Sequence, residues 1–120
     1  MIQDWDVSAL TVMSATFMGA SAFDHDLSKW DVSAVANMGN MFSHTSAFNQ
    51  DLSKWDVSVV TNMGSMFEDA VAFNLELCGD AWVNSKADKT DMFTNSPGSI
   101  SSTVCTTAKS GYDGDNNGSR

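Results

Sequence analysis

Few residues of this chain combine the types and the spacing that catalysis needs. The only two histidines, His25 and His44, lie in polar stretches that do not correspond to each other. No serine has a histidine and an aspartate at a spacing that suggests a catalytic triad, and no glycine-rich phosphate loop is present. The sequence therefore predicts a protein that is not an enzyme.

Carboxylates are the commonest charged groups, and they could bind cations. The chain has 15 Asp and Glu residues against 6 Lys and Arg, which gives a formal net charge of −9. Such a surface repels phosphate backbones, so a nucleic-acid partner is not expected, and the acidity fits cation binding or simply solubility. No apolar run is long enough to span a membrane.

A candidate calcium site lies near the C-terminal end. Asp113, Asp115 and Asn117, followed by Gly118, match the first half of the D-x-[DN]-x-[DN]-G loop that coordinates calcium. The later ligands of such a loop, including its bidentate acid, are missing. The favoured interpretation is a flexible polar tail, with calcium binding as the alternative, and no other cofactor is indicated.

The two cysteines, Cys78 and Cys105, could form a disulfide or remain as two free buried thiols. Their spacing matches no metal-binding or redox motif, and no histidine stands at a related position. A disulfide would tie the C-terminal part of the chain to the part before it. In the chain-entropy model a loop of this size is worth about 3–4 kcal/mol, and an extracellular setting favours the bond.

The chain is built on an internal repeat, which must position these groups. The segment LSKWDVS occurs at 27–33 and again at 52–58, and the shorter DWDVS occurs at 4–8. More than eight positions agree in phase across three units, at the step that separates the tryptophans, so chance does not explain the pattern. The aromatic and methionine positions predict ladders of core side chains, which are Trp5, Trp30, Trp55, Met13, Met38, Met63, Phe17, Phe42, Phe67, Phe23, Phe48 and Phe73.

Each unit has the pattern of one short strand and one short helix. In the second unit Trp30 and Val32 alternate with polar residues, which is the period of a strand with one buried face. Apolar or small residues then recur at steps of three, four and three, which indicates a helix of about ten residues with Ser33 as its N-cap. These helical positions are Val35, Met38, Phe42 and Thr45.

One such unit cannot bury its apolar face alone, whereas stacked units can. The sequence therefore predicts an α/β repeat solenoid, with short parallel β-strands on one face, short helices on the other and about 25 residues per unit. Three regular repeats span residues 1–77, a degenerate capping repeat spans 78–105, and a flexible polar tail spans 106–120. In the capping repeat, Asp80 stands at the tryptophan position and Trp82 at the valine position.

The outward face of the predicted sheet is the candidate binding surface. Its polar residues recur at the 25-residue step, so they form columns at the strand spacing of about 4.8 Å. They are Lys29, Asp31, Ser33, Lys54, Asp56 and Ser58. Two acidic columns could hold a cation, although a solvated ladder of carboxylates is the favoured interpretation. These columns are Asp6, Asp31 and Asp56, and Asp26, Asp51 and Glu76.

The third unit carries a family resemblance. The segment FNQDLSKWDVSVVTNMGSMFEDAVAF, at 48–73, resembles a repeat of about 25 or 26 positions in bacterial and mycoplasmal surface lipoproteins, which is often grouped with BspA-like leucine-rich repeats. The resemblance covers about residues 2–77. It implies a non-catalytic array, extracellular or at the cell surface, that binds a protein partner or a cell-surface or matrix component. It supplies no catalytic residues.

The N-terminal end has no cap of its own, since Met1 and Ile2 enter directly at the strand position of a repeat. An uncovered solenoid end exposes core residues and a sheet edge, which favours pairing. This indicates a missing N-terminal segment, a neighbouring subunit or self-association at this end. Self-association would be an alternative function, in which chains assemble head-to-tail into a filament or a larger surface structure.

Overall fold

The computed structural model describes residues 2–105, so the predicted tail and its candidate calcium ligands, Asp113, Asp115 and Asn117, lie outside the described residues. Regular secondary structure is confined to four short elements within the described part of the chain. These are a 3-10 helix at Ile2–Asp4, strand β1 at Glu76–Leu77, helix α1 at Asp80–Val83 and strand β2 at Ser99–Ile100. Between them the chain is a succession of turns.

Successive units lie side by side, in the same direction and in register. Parallel bridges join Val12 to Asn37, Asn37 to Asn62 and Asn62 to Asp88. The Met38 N–H donates to the Asn62 carbonyl oxygen at 2.9 Å, and the corresponding bond recurs between the other neighbouring units. Backbone polar groups along this line are therefore satisfied mainly by the adjacent unit rather than within their own.

Where the sequence predicts a helix, at residues 35–45, the chain forms consecutive turns instead. Asn40 and His44 have φ values of 58° and 61°, in the left-handed region that a right-handed helix does not contain. The turns close with bonds over three residues, such as the 3.1 Å bond from the Met41 N–H to the Met38 carbonyl. The left-handed residues turn the backbone N–H groups toward the next unit, and an i→i−4 helix ladder does not form.

The left-handed positions recur at the step of the repeat. Most carry Asn, Asp, Ser, His or Gly, and Asn, Asp and Gly in particular accept a positive φ at low cost. Ala15 is the exception, since its side chain makes no hydrogen bond that could offset the steric cost. The positions form two sets, Ala15, Asn40, Ser65 and Asp91, and Gly19, His44, Asp69 and Asn95.

The predicted strand of each unit also differs from the structure. In the second unit it consists of two turns, closed by the N–H groups of Trp30 and Val35, each 3.0 Å from the carbonyl three residues earlier. The alternation of burial nevertheless holds, because Trp30 and Val32 are buried and Asp31 is exposed. Ser33 precedes no helix, and its hydroxyl donates to Asp31 Oδ1 instead.

Aromatic ladders run through the core perpendicular to the units. The rings of Phe17, Phe42, Phe67 and Phe93 stack in order, with centroid distances of 5.6, 5.4 and 5.4 Å. Burying a large apolar side chain stabilises the fold by roughly 1.5–3 kcal/mol, so these contacts between units supply much of the stability. A second ladder consists of Phe23, Phe48 and Phe73.

The hydrogen bonds of the tryptophans show that the altered unit aligns with the regular units differently from the sequence prediction. The Trp55 indole N–H donates to the Leu27 carbonyl at 2.8 Å, and the Trp82 indole N–H donates to the Leu52 carbonyl at the same distance. Trp82 therefore takes the tryptophan position, and Asp80, predicted there, is exposed at the start of α1. The reason is that α1 turns the chain so that its third residue, not its first, enters the core.

The first unit is less buried than the sequence predicts. Trp5, assigned to the core ladder, is 63% exposed, whereas Trp30 is 6% exposed and donates its indole N–H to the Ile2 carbonyl. Each indole is covered by the unit before it, and the described residues contain no unit before Trp5. Phe17 and Phe23 are partly buried for the same reason.

The predicted disulfide between Cys78 and Cys105 is confirmed, with its Cα atoms 5.1 Å apart. Strands β1 and β2 pair in parallel just before the two cysteines, with Leu77 opposite Ile100. The Cys105 N–H then donates to the Cys78 carbonyl at 2.9 Å. The last described segment is thus fastened to the end of the third unit by both backbone pairing and a covalent bond.

Candidate binding cleft

All six residues of the predicted binding face lie at the surface, but the structure divides them. Lys54, Asp56 and Ser58 line an open cleft between the third unit and the altered unit. Their counterparts one unit earlier do not line it, and these are Lys29, Asp31 and Ser33. The column predicted as one continuous surface therefore provides two different environments.

The cleft has a volume of about 1580 Å³ and arises from a local change in the repeat. One more residue lies between Leu77 and Asp88 than between Leu52 and Asn62. The additional residue is accommodated by α1, which replaces the turns of a regular unit. The Trp82 side chain stays in the core against the third unit. The other residues of the altered unit between residue 79 and the bridge at Asp88 stand away from the third unit, which opens a cleft between them.

Gly79 fixes the base of the cleft. A Cβ atom at this position would lie 1.9 Å from the Ser53 carbonyl oxygen, so no other residue fits without moving the backbone. The close approach brings the start of α1 against the third unit. The Cys78–Cys105 disulfide lies beside it and forms another part of the cleft wall.

Both charges and apolar groups face the cleft. Lys54 and Lys86 are its cations, and Asp51, Asp56 and Asp80 are its anions. The Ser58 hydroxyl and backbone N–H both hydrogen-bond to Asp56, and these bonds lower the pKa of that carboxyl. Asp56 is therefore ionised at neutral pH and held in one orientation. The apolar part of the lining includes Val59, Val60, Ala81 and Val104.

The acidic columns are used within the chain itself. Asp26 Oδ1 and Asp51 Oδ1 each accept the backbone N–H two residues later, at 2.9 Å. Asp6 and Asp31 accept both a backbone N–H and a hydroxyl from the serine two residues later. Among residues 2–105, no group of three or more His, Cys, Asp or Glu side chains is placed to hold a metal ion. These carboxylates close turns.

Sequence reasoning missed the half of the cleft that the altered unit supplies. Lys86, Asp80, Asn84 and Val104 line it, but they have no counterpart at the 25-residue step. One signal was available, which is the additional residue between Leu77 and Asp88. An insertion between two stacked units must bulge outward, and the bulge creates a concave wall.

The composition of the cleft lining is typical of a site that binds a ligand. The lining of the cleft combines aliphatic surface with a few charged and hydroxyl groups, which is the usual character of a binding site. Its only sulfur atoms belong to a disulfide, and it contains no histidine. Within the described part of the chain, no helix has the length and apolarity to cross a membrane.

Comparison with known proteins gives one match. The model of a family described as "Mycoplasma protein of unknown function, DUF285" matches residues 1–104, which is most of the chain. No curated protein and no solved structure matches. The match agrees with the mycoplasmal part of the resemblance seen in the repeats and does not extend to BspA-like proteins.

Proposed function

The chain belongs to the DUF285 family of Mycoplasma proteins of unknown function, and on this premise we propose that it is a non-catalytic repeat module that binds a protein partner. We assign it a solenoid architecture of the leucine-rich-repeat type, in which turns replace the predicted helices. The parallel bridges between units and the stacked phenylalanine rings support this architecture. The binding site we propose is the cleft.

One observation carries the proposal. The cleft brings Lys54, Asp56 and Ser58 of a regular unit together with Lys86 of the altered unit, around a partly apolar lining. Asp56 is fixed by its own turn, and the disulfide holds another part of the cleft wall. A site whose groups are held before binding loses little conformational freedom when a partner docks. Such a site suits a protein loop or an extended peptide.

The expected partner is basic and meets the chain outside the cell. A net charge of −9 attracts cationic surfaces over a distance and repels anionic ones. Disulfides persist in oxidising environments, so the Cys78–Cys105 bond supports an extracellular or cell-surface location. Such partners include matrix proteins and proteins of other cell surfaces.

The test is a matched pair of multiple-alanine variants. One variant combines Lys54→Ala, Asp56→Ala and Lys86→Ala in the cleft. The control combines Lys29→Ala and Asp31→Ala, the lysine and aspartate at the equivalent positions one unit earlier. Asp31 closes a turn with Ser33 as Asp56 does with Ser58. Binding to an immobilised panel of extracellular-matrix proteins is measured by biosensor, and thermal melting checks that both variants fold.

We expect the cleft variant to lose at least tenfold in affinity for any protein that the wild-type chain binds, while the control keeps its affinity. Equal losses in the two variants would place binding on the outward column rather than in the cleft. Unchanged binding in the cleft variant would refute the proposed site. Because long-range attraction is screened, the association rate should also fall as salt is added.

A further inference from the structure

The hydrogen bonds that join residues 12–19 to their counterparts in the next unit all point the same way. We call residues 12–19 of the first unit the acceptor strip and the corresponding residues 88–95 of the altered unit the donor strip. From the first unit, four N–H groups donate to carbonyls of the second unit at 2.8–2.9 Å, and the pattern recurs up to the altered unit. The four donors are Met13, Ala15, Phe17 and Gly19.

This direction leaves the two ends of the stack chemically different. Within the described residues, the acceptor strip presents four carbonyls that receive no N–H from another unit, and the donor strip presents four N–H groups that reach no carbonyl. The carbonyls are those of Val12, Ser14, Thr16 and Met18. The N–H groups are those of Lys89, Asp91, Phe93 and Asn95.

The acceptor strip is also flanked by exposed apolar side chains. Val12 is 58% exposed, and Leu10, Met18 and Trp5 are exposed as well. In the inner units, the corresponding backbone and aromatic positions are covered by the neighbouring unit. The partner that this surface fits must therefore offer a row of N–H donors at the same spacing together with an apolar face.

We propose that the acceptor strip of one chain docks on the donor strip of a second copy, so that chains join head to tail. The second copy is the occupant because its donor strip has the spacing that the acceptor strip already meets inside the chain. Phe17 of the incoming copy would extend the ladder that ends at Phe93. The bonds follow the internal pattern, from Lys89 to Val12, Asp91 to Ser14, Phe93 to Thr16 and Asn95 to Met18.

One bond before each strip runs the other way, from the Ala36 N–H to the Thr11 carbonyl in the first pair of units, but along the strips the polarity disfavours symmetric pairing. Two acceptor strips would bring carbonyls against carbonyls, and two donor strips would bring N–H groups together. The contact is thus heterologous, and a heterologous contact that does not close into a ring continues into a filament. It uses the ends of the stack, so it is independent of the cleft on its side.

The segment 99–105 limits how much surface the two copies share. Ile100 lies opposite Leu77, at the place where Ile2 of the incoming copy would continue the leucine column. The disulfide at Cys105 keeps this segment in place. Ile2 and Trp5 of the incoming copy therefore stay outside the contact. The copies meet along the strips alone, and association requires a high protein concentration. Each copy has a charge of −9, so salt should strengthen the contact.

The test measures association of the oxidised chain by sedimentation velocity over a concentration series, at physiological salt and at about 1 M, where the Debye length is about 3 Å. Val12→Glu places a charge on the acceptor strip. Val71→Glu is the matched control, because Val71 is also 58% exposed, lies in an inner unit and gives the same net charge. We expect open-ended association that Val12→Glu weakens at least tenfold and Val71→Glu leaves unchanged.

Amide hydrogen exchange then identifies the second surface. At high concentration the amides of Lys89, Asp91, Phe93 and Asn95 should exchange more slowly in the wild-type chain but not in the Val12→Glu variant. Three results would overturn the proposal. They are a chain that stays monomeric, association without protection of these four amides, and protection already present at the lowest concentration, which would mean that one chain covers its own donor strip.

Failure of this assembly and failure of the proposed binding function can be told apart. Val12→Glu leaves the cleft residues unchanged, so partner binding measured with this variant reports on the cleft alone. The cleft alanine variant, in turn, retains both strips. A chain can therefore lose either property without the other.

Discussion

At the scale of single residues, the recurring device is a side chain that closes its own turn. Asp31 Oδ1 accepts the Ser33 backbone N–H at 3.0 Å and the Ser33 hydroxyl at 2.6 Å. Asp88 does the same with Thr90, and Asn37 and Asn62 accept the N–H of the glycine two residues later. These turns satisfy backbone groups locally and set the direction in which the chain leaves each corner.

The hydrogen bonds at these aspartates make stability depend on pH. Bonds from the serine or threonine two residues later lower the pKa of Asp6, Asp31, Asp56 and Asp88 below the ordinary value of 3.8. A carboxyl whose pKa is lower in the folded state stabilises the fold above pH 3.8. That contribution is lost as the pH falls through the lower folded values. We expect the free energy of unfolding in urea to decrease from about pH 5 to about pH 3.

The control for this prediction removes the donors and keeps the carboxylates. A variant with Ser8→Ala, Ser33→Ala, Ser58→Ala and Thr90→Ala loses the hydroxyl bonds that lower these pKa values. Its unfolding free energy should therefore change less over the same pH range than that of the wild-type chain. Equal pH dependence in the two proteins would show that other carboxylates account for the acid response.

At the scale of elements, the left-handed residues replace the helix that periodicity predicts. Side chains at steps of three and four reach one face in a helix, but they also do so in turns that close over three residues. The hydrogen bonds differ, since a helix satisfies its own backbone whereas these turns leave N–H groups for the next unit. The result is a strip of backbone with a donor side and an acceptor side.

Ala15 offers a test of this conformation. Its φ is 58°, which costs an L-residue with a Cβ atom roughly 1–2 kcal/mol and costs glycine nothing. Glycine loses more conformational entropy on folding, which offsets about 0.5–1 kcal/mol. We expect Ala15→Gly to raise the free energy of unfolding by about 0.5–1 kcal/mol in urea denaturation.

The matched change for Ala15 is Ala9→Gly, at an exposed position that lacks a positive φ. There the substitution only adds freedom to the unfolded chain, so it should lower stability by a few tenths of a kcal/mol or more. If both glycine variants were destabilised alike, the left-handed conformation of Ala15 would not be a source of strain.

At the scale of the whole molecule, each unit of the stack is stabilised by packing against its neighbours. Each unit covers the indole and the phenylalanine rings of its neighbour, so the units form one continuous core. The altered unit continues the ladders through Trp82 and Phe93, and then the disulfide fastens the segment after it. The cleft and the donor strip both belong to this end of the molecule.

The disulfide should contribute measurably to folding. It closes a loop with a sequence separation of 27 residues, for which the chain-entropy model gives about 3–4 kcal/mol. We expect the variant with Cys78→Ser and Cys105→Ser to lose about that much unfolding free energy in urea. The wild-type chain with reductant should match it. Unchanged stability would mean that the pairing of β1 with β2 holds the segment without the bond.

The sequence predicts which side chains are buried and which are exposed in most of the regular units, because equivalent positions of a repeat have the same surroundings. The regular step of the repeat places like residues side by side, and alternation then separates Trp30 and Val32, which are buried, from Asp31, which is exposed. Trp5 obeys the same pattern in sequence but is exposed, because its burial depends on a covering unit. A sequence pattern predicts which face of its unit a side chain occupies, but not whether a neighbouring unit covers that face.

The sequence by itself determined the repeat and the inward and outward positions, and with two cysteines it allowed one disulfide, which the structure contains. Only the tertiary structure decided the backbone conformation, because periodicity of three and four residues is common to helices and to consecutive turns. The chain forms turns rather than a helix because neighbouring units offer carbonyls at the spacing of the backbone N–H groups. Those hydrogen-bond partners exist only once the units stack. The cleft has the same origin, since one additional residue opens a space only when two units lie against each other.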